Sequence, residues 1–199
     1  FLFGSKEDDQ DAYQNEKPQL VVELPDYYID TYPVTNRQFC RFLNESKPGR
    51  KELEKWINLA GEYGKEKCRI RRNGNVYEID QEFAHYPVIY VSRHGAAAYA
   101  QWAGKLLPTE QQWEKAARGT RGLKYPWGNE WKEGLCNSSE SGIDMTTEVS
   151  KYPAGKSVYG CCDMAGNVLE WCRDWFDGKY YEKCRKQGRV NNNKGPKKG

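Results

Sequence analysis

Three tryptophan-bearing words crowd the second half of this chain: LPTEQQWEKAARG at 107–119, YPWGNEW at 125–131 and GCCDMAGNVLEW at 160–171. Amphipathic packing alone would not require such a combination. Two of the words set large rings beside Gly-Asn pairs, which favour turns, so aromatic area must be buried on irregular backbone. This points to one particular scaffold, with carboxylate and carbonyl positions of metal-ligand type in the last word.

The 199 residues suit one domain. Hydrophobic residues make up 38% of the sequence, low for a globular protein, but seven Trp, 14 Tyr and six Phe supply the missing apolar area. The middle of the chain therefore reads as ordered. The net charge of +3 hides an acidic head (Glu7, Asp8, Asp9, Asp11, Glu16) and a basic tail (Arg185, Lys186, Arg189, Lys194, Lys197, Lys198). With Val190 its one apolar residue, the tail reads as a solvated loop rather than a nucleic-acid surface. No apolar run approaches the roughly 20 residues of a membrane helix.

Seven cysteines, Cys40, Cys68, Cys136, Cys161, Cys162, Cys172 and Cys184, include no CxxC pair and no zinc spacing. They read as buried or free thiols of a reducing compartment, which favours the cytoplasm over a secreted disulfide framework. Phe1 opens a fragment, FLFGS, that reads as a strand already under way. Both ends look cut, so a lost leader and an exported form stay open.

Two helices share one start signal. Thr35 and Gln38 form a capping box before Phe39, Phe42 and Leu43, and Thr109 and Gln112 repeat it before Trp113, Ala116 and Ala117, with Gly119 as the stop. A third helix runs from a Ser92 cap to Gly104, where small residues at 96–98 would admit another backbone. A fourth spans 51–62. Strands are expected at 19–24, 27–31, 76–79 and 88–91. From 119 to 160 regular pattern nearly vanishes, a length of loop that is usually functional or held by bound ions. His85 and His94 lack a nucleophile or second His at a meaningful spacing and read as surface or helix-start residues.

The succession TYPVTNRQFCRFLN, PVIYVSRHGAAAYAQWAGKLLPTEQQWEKAARG, YPWGN and GCCDMAGNVLEWCRDWF resembles the formylglycine-generating enzymes, or sulfatase-modifying factor domains, over nearly the whole chain. The resemblance implies an α+β, C-type-lectin-like fold with little regular secondary structure, here one domain over 1–199 that looks incomplete at its C-terminus. It also implies calcium. Asp163 and Glu170 would give carboxylate oxygens, with Gly166 and Val168 giving main-chain carbonyls. A second site would use Asn137, the carbonyl of Ser138, and Asp144 as acidic partner. A further acidic ligand of the family falls at Pro33, a departure. The alternative is that Asp163 and Glu170 merely cap and pair within the fold.

By the same resemblance, the family's enzymes oxidise a client cysteine to formylglycine with molecular oxygen and copper(I) held by two cysteines. Those cysteines follow a Gly-Gly-Ser word that this sequence does not contain, and none of the seven present matches them. Cys161 and Cys162 replace structural residues of the family word and Cys172 reads as a core residue, so copper would enter only with a further cysteine pair. Two functions follow: an oxidase domain acting on a client protein or peptide without its catalytic segment, or a non-catalytic module binding a protein or other ligand. The second group includes variable proteins of diversity-generating retroelements and kinase-associated modules.

Overall fold

The two capping boxes form as written. In α1 (Asn36–Ser46) Thr35 accepts the Gln38 N–H while Gln38 reaches back to the Thr35 amide, and Thr109 and Gln112 do the same at the start of α4 (Glu110–Arg118). Between them lie α2 (Arg50–Trp56) and α3 (Arg93–Trp102), the latter capped by Ser92, whose hydroxyl accepts the Gly95 N–H at 3.1 Å. This computed structural model describes residues 1–187 and Gly195.

The strands are short and, among the described residues, pair only in antiparallel twos. β1 (Leu2–Phe3) joins β2 (Leu20–Val21), β3 (Glu62–Tyr63) joins β4 (Glu66–Lys67), and β5 (Ile70–Asn73) joins β6 (Val76–Ile79). This is an α+β architecture with little regular structure. The FLFGS fragment is a strand, as its pattern suggests. Expected strands at 27–31 and 88–91 do not form ladders: the first has no regular structure, with a bend at Thr31, and the second contributes one bridge, Val91 to Ile57.

One core packs α1, α2 and α3 around Phe39, Phe42, Leu43 and Tyr99. Phe42 stacks on Trp56 at 5.0 Å and meets Trp102 at 5.6 Å, so a few rings carry much of the buried area. The helix expected over 51–62 stops at Trp56 because Ile57 turns extended to pair with Val91. The close approach expected at 96–98 falls instead at Gly95, where a Cβ would lie 2.2 Å from the Trp56 carbonyl oxygen. Asn44 satisfies the edge of β6, accepting from the Tyr77 N–H and donating to the Tyr77 carbonyl, both at 2.8 Å.

A second cluster corrects the reading of the basic tail. Residues Tyr180–Gln187 form α5, whose Tyr181 and Cys184 are buried with Phe3 and Val22, Tyr181 stacking on Phe3 at 4.5 Å. Arg185 and Lys186 occupy its exposed side; the later tail residues, from Arg189 on, lie outside the described ones. In the irregular stretch, Tyr125 and Trp127 stack at 5.4 Å with Trp131 against both, and the Trp127 indole donates to the Glu130 carbonyl. Among the described residues no helix is long and apolar enough to cross a membrane.

α4 fastens the N-terminal strand through a nearly buried ion pair. Glu114 Oε1 accepts from Arg118 at 2.6 Å and from the Gly4 N–H at 2.7 Å, while Arg118 also donates to the carbonyls of Gly4, Gly122 and Leu123. Burial outweighs the Arg118 charge and raises the Glu114 carboxyl from 4.5 to about 7. The folded state thus holds this proton more tightly than the unfolded chain, so the stability tied to Glu114 is full below pH 4.5 and is lost as pH rises towards 7. Measured by urea unfolding at those two pH values, wild type should lose on the order of 3 kcal/mol relative to Glu114→Gln. Parallel pH profiles would contradict this account.

Candidate functional site

The last tryptophan word enters the fold through two buried cysteines. The Cys161 carbonyl accepts the Ser157 N–H at 2.8 Å, and the Cys162 N–H donates to the Thr31 carbonyl at 2.7 Å. Burial pushes both thiols up, and does the same for Cys40, Cys68, Cys136, Cys172 (to about 12) and Cys184. No disulfide forms among them. Five of the seven are buried, and Cys68 and Cys172 are half-buried, as packing thiols are.

Backbone in the left-handed region then turns the chain at Asp163 (φ 55°), Gly166 (φ 78°) and Asn167 (φ 64°). Gly166 is obligatory, since a Cβ there would lie 2.2 Å from the Asn137 carbonyl oxygen. That carbonyl accepts the Asn167 N–H at 2.8 Å. The Asn167 side chain completes the junction: Oδ1 accepts from the Thr147 N–H at 2.9 Å and from Asn137 Nδ2 at 3.3 Å, and Nδ2 donates to the Thr147 carbonyl at 3.2 Å.

Around this turn stand the predicted oxygen donors. Asp163 is buried, and its Oδ2 has no hydrogen-bond partner. Desolvation raises its carboxyl to about 6, opposed by Asn167. The Gly166 carbonyl accepts the Val168 N–H at 2.8 Å, which leaves it a second lone pair. Glu170 is exposed along part of its side chain, but its carboxylate is crowded: desolvation raises it to about 6, the Trp113 indole N–H at 3.3 Å opposes the shift, and the Asp163 charge adds to it. Asp163 and Glu170 therefore sense one another without being paired.

Glu170, Val168 and Trp171 also line a cavity of about 590 Å³, closed on its other sides by Tyr27, Val88 and Leu106 among others. Trp171 is tied down by its indole N–H, which donates to the Val91 carbonyl at 2.9 Å. Pro33 is buried in the cavity wall and brings no carboxylate to it. The predicted second group is only partly assembled. Asn137 and Ser138 lie together, whereas Asp144 is exposed and faces Lys65 Nζ at 3.3 Å. Among the described residues no three His, Cys, Asp or Glu side chains converge on one point. His85 and His94 are both exposed. The sequence signals did not single out Asn167, although it stands inside the word; its partners are 20 and 30 residues away.

Fold and site together define a class: an α+β domain whose irregular half is knitted around a Gly-Asn turn flanked by two desolvated carboxylates. The chain belongs to the sulfatase-modifying factor enzyme 1-like domain family, whose model matches residues 1–197. It is 40% identical over 173 residues to the serine/threonine-protein kinase Pkn1 of Chlamydia trachomatis, covering 86% of this chain but only 26% of the kinase. It is 33% identical over 224 residues to the formylglycine-generating enzyme of Thermomonospora curvata, covering 91% of this chain and 70% of that protein. The solved structure of PvdO from Pseudomonas aeruginosa superimposes with a TM-score of 0.69 at 21% identity, over 99% of this chain and 74% of that one, a likeness of fold alone.

The turn makes a controlled prediction. Gly166→Ala combines a left-handed backbone with a main-chain clash, whereas Gly74→Ala places a Cβ at φ 60° in open space. Gly74→Ala should cost about 1 kcal/mol and Gly166→Ala upwards of about 3 kcal/mol in chemical denaturation. Equal costs would refute the close packing of Gly166 on Asn137.

Proposed function

We propose that this domain is a polypeptide-binding module of the sulfatase-modifying-factor type, stiffened by a calcium ion at Asp163, Gly166, Val168 and Glu170. The observation that carries the reading is the cavity of about 590 Å³, whose aromatic and aliphatic walls are partly supplied by the same word that carries those donors. Apolar clefts with a few placed polar groups are the usual form of a binding site.

The donor set suits calcium. Calcium takes several hard oxygens in flexible geometry, and two carboxylates with two main-chain carbonyls supply four of them. The buried Oδ2 of Asp163, without a partner and with its acid raised to about 6, is the kind of atom a cation relieves. A bound ion would neutralise the repulsion between Asp163 and Glu170 and hold the wall formed by Val168 and Trp171.

The oxidation of a client cysteine, implied by the likeness to formylglycine-generating enzymes, calls for copper-binding thiolates. None of the seven cysteines falls where the family pattern places that pair, so in this reading the residues present contribute recognition of the polypeptide rather than the redox centre. The likeness to Pkn1, a kinase of which the chain covers 26%, fits a module that serves chemistry located elsewhere.

A library of short cysteine-containing peptides, screened by fluorescence anisotropy with copper(I) and oxygen present, tests both halves of the proposal. The chain should bind a subset of peptides without oxidising them, and chelating calcium should weaken binding and lower Tm. With calcium at 100 times its Kd, the expected stabilisation is about 2.7 kcal/mol. Peptide oxidation by this chain alone, or a Tm indifferent to calcium and chelator, would overturn the corresponding half.

A further inference from the structure

The Asn137 loop is built differently from the Asp163 turn beside it. Asn137 Oδ1 and the Ser138 carbonyl, two oxygens that a cation in this loop would use, both lie within hydrogen-bond distance of one atom already present. That atom is Ser141 Oγ, 2.9 Å from the first and 2.7 Å from the second. We infer that the Ser141 hydroxyl closes the 137–145 loop in place of a cation, so that this loop takes no calcium and the domain differs here from the two-site pattern its sequence resembles.

The rest of the loop supports the assignment. Ser141 ends a single 3-10 turn, Ser139–Ser141, whose N–H also returns to the Ser138 carbonyl at 3.1 Å. Gly142 follows in the left-handed region (φ 63°), which lets so short a loop reverse. The amide half of Asn137 is committed elsewhere, donating to the Met145 carbonyl at 2.8 Å and to Asn167 Oδ1 at 3.3 Å.

Among the described residues no three His, Cys, Asp or Glu side chains come together at this loop. Asp144, in the left-handed region itself, keeps 69% of its side chain exposed and meets the Lys65 ammonium. Glu140 is exposed and accepts from the Ser138 and Ser139 hydroxyls, which lowers its pKa. Glu66 approaches the same strap, where its Oε1 accepts the Thr146 N–H and its Oε2 is buried without a partner. Calcium affinity is set largely by the number of charged ligands, and with a neutral amide and one carbonyl as its ligands a calcium ion would not displace a hydroxyl that is covalently in place.

The inference is separable from the calcium reading of the Asp163 turn, and the experiment keeps them apart. Calcium-free full chain is titrated with calcium, and bound ions are counted by native mass spectrometry and calorimetry for wild type, Asp163→Asn and Glu170→Gln. One ion on wild type and none on either variant is the expected result. Two ions on wild type, or one persisting on a folded variant, would overturn the inference, and loss of the extra ion in Glu66→Gln or Asp144→Asn would then name its ligand. No ion on wild type would overturn the reading of the Asp163 turn while upholding that of the loop. Ser141→Ala removes the closing hydroxyl and should lower Tm by about 2–4 °C with ion count unchanged. Ser141→Asp, which brings a carboxylate to the same two oxygens, should gain a second ion.

Discussion

The side-chain amide of Asn167 holds three separate stretches of irregular backbone in register. An amide offers two donors and two acceptor lone pairs, and this one is used on both faces, towards Thr147 and towards Asn137. Where no sheet ladder is available, such side-chain bridges must satisfy the backbone groups that a buried loop carries inward. Gly166 makes the bridge possible by letting the two main chains meet at Asn137 without a Cβ between them. The position of Asp163, Val168 and Glu170 follows from that contact, and with it one wall of the cavity.

α4 is the element that connects this irregular half to the remainder. Its Trp113 donates to Glu170, the amide of Glu110 at its first turn donates to Asp174, and Glu114 holds the backbone of Gly4. Tyr181 of α5 adds a hydroxyl bond to Glu110 at 2.9 Å. One short helix thus reaches the N-terminal strand, the last tryptophan word and α5, mostly through carboxylates that its own packing desolvates. The aromatic core of α1 to α3 provides the rigid floor beneath: Tyr99 belongs to that core and to the cavity lining at once.

The helix starts are legible from local sequence alone. The capping boxes at Thr35 and Thr109 are complete in sequence within four residues and behave as such. The errors lie where a distant partner decides. Residues 27–31 look like a strand but find no neighbouring strand, and the helix at 50 ends at Trp56 because Val91 captures Ile57. The sequence of α5 reads as solvated loop because its buried stripe is only Tyr181 and Cys184, and their receptor is Phe3 at the other end of the chain. The site shows the same division. Asp163, Gly166, Val168 and Glu170 sit in one compact word, whereas the roles of Asn167, Ser141 and Glu114 depend on residues met only after folding. Asp144 illustrates the converse: its acidity suggests a ligand, while the partner it meets in the fold is Lys65 of the β3–β4 hairpin.

The proposed calcium ion at Asp163 would act with the Asn137–Asn167 junction to order the irregular half, independently of the helical core. Residue-resolved amide hydrogen exchange, compared with calcium and with chelator, tests this most directly. The account predicts that protection at the Asn167 and Thr147 amides rises with calcium while that of Phe39 to Leu43 in α1 stays unchanged. Protection that ignores calcium at Asn167 and Thr147, or that changes equally in α1, would contradict it.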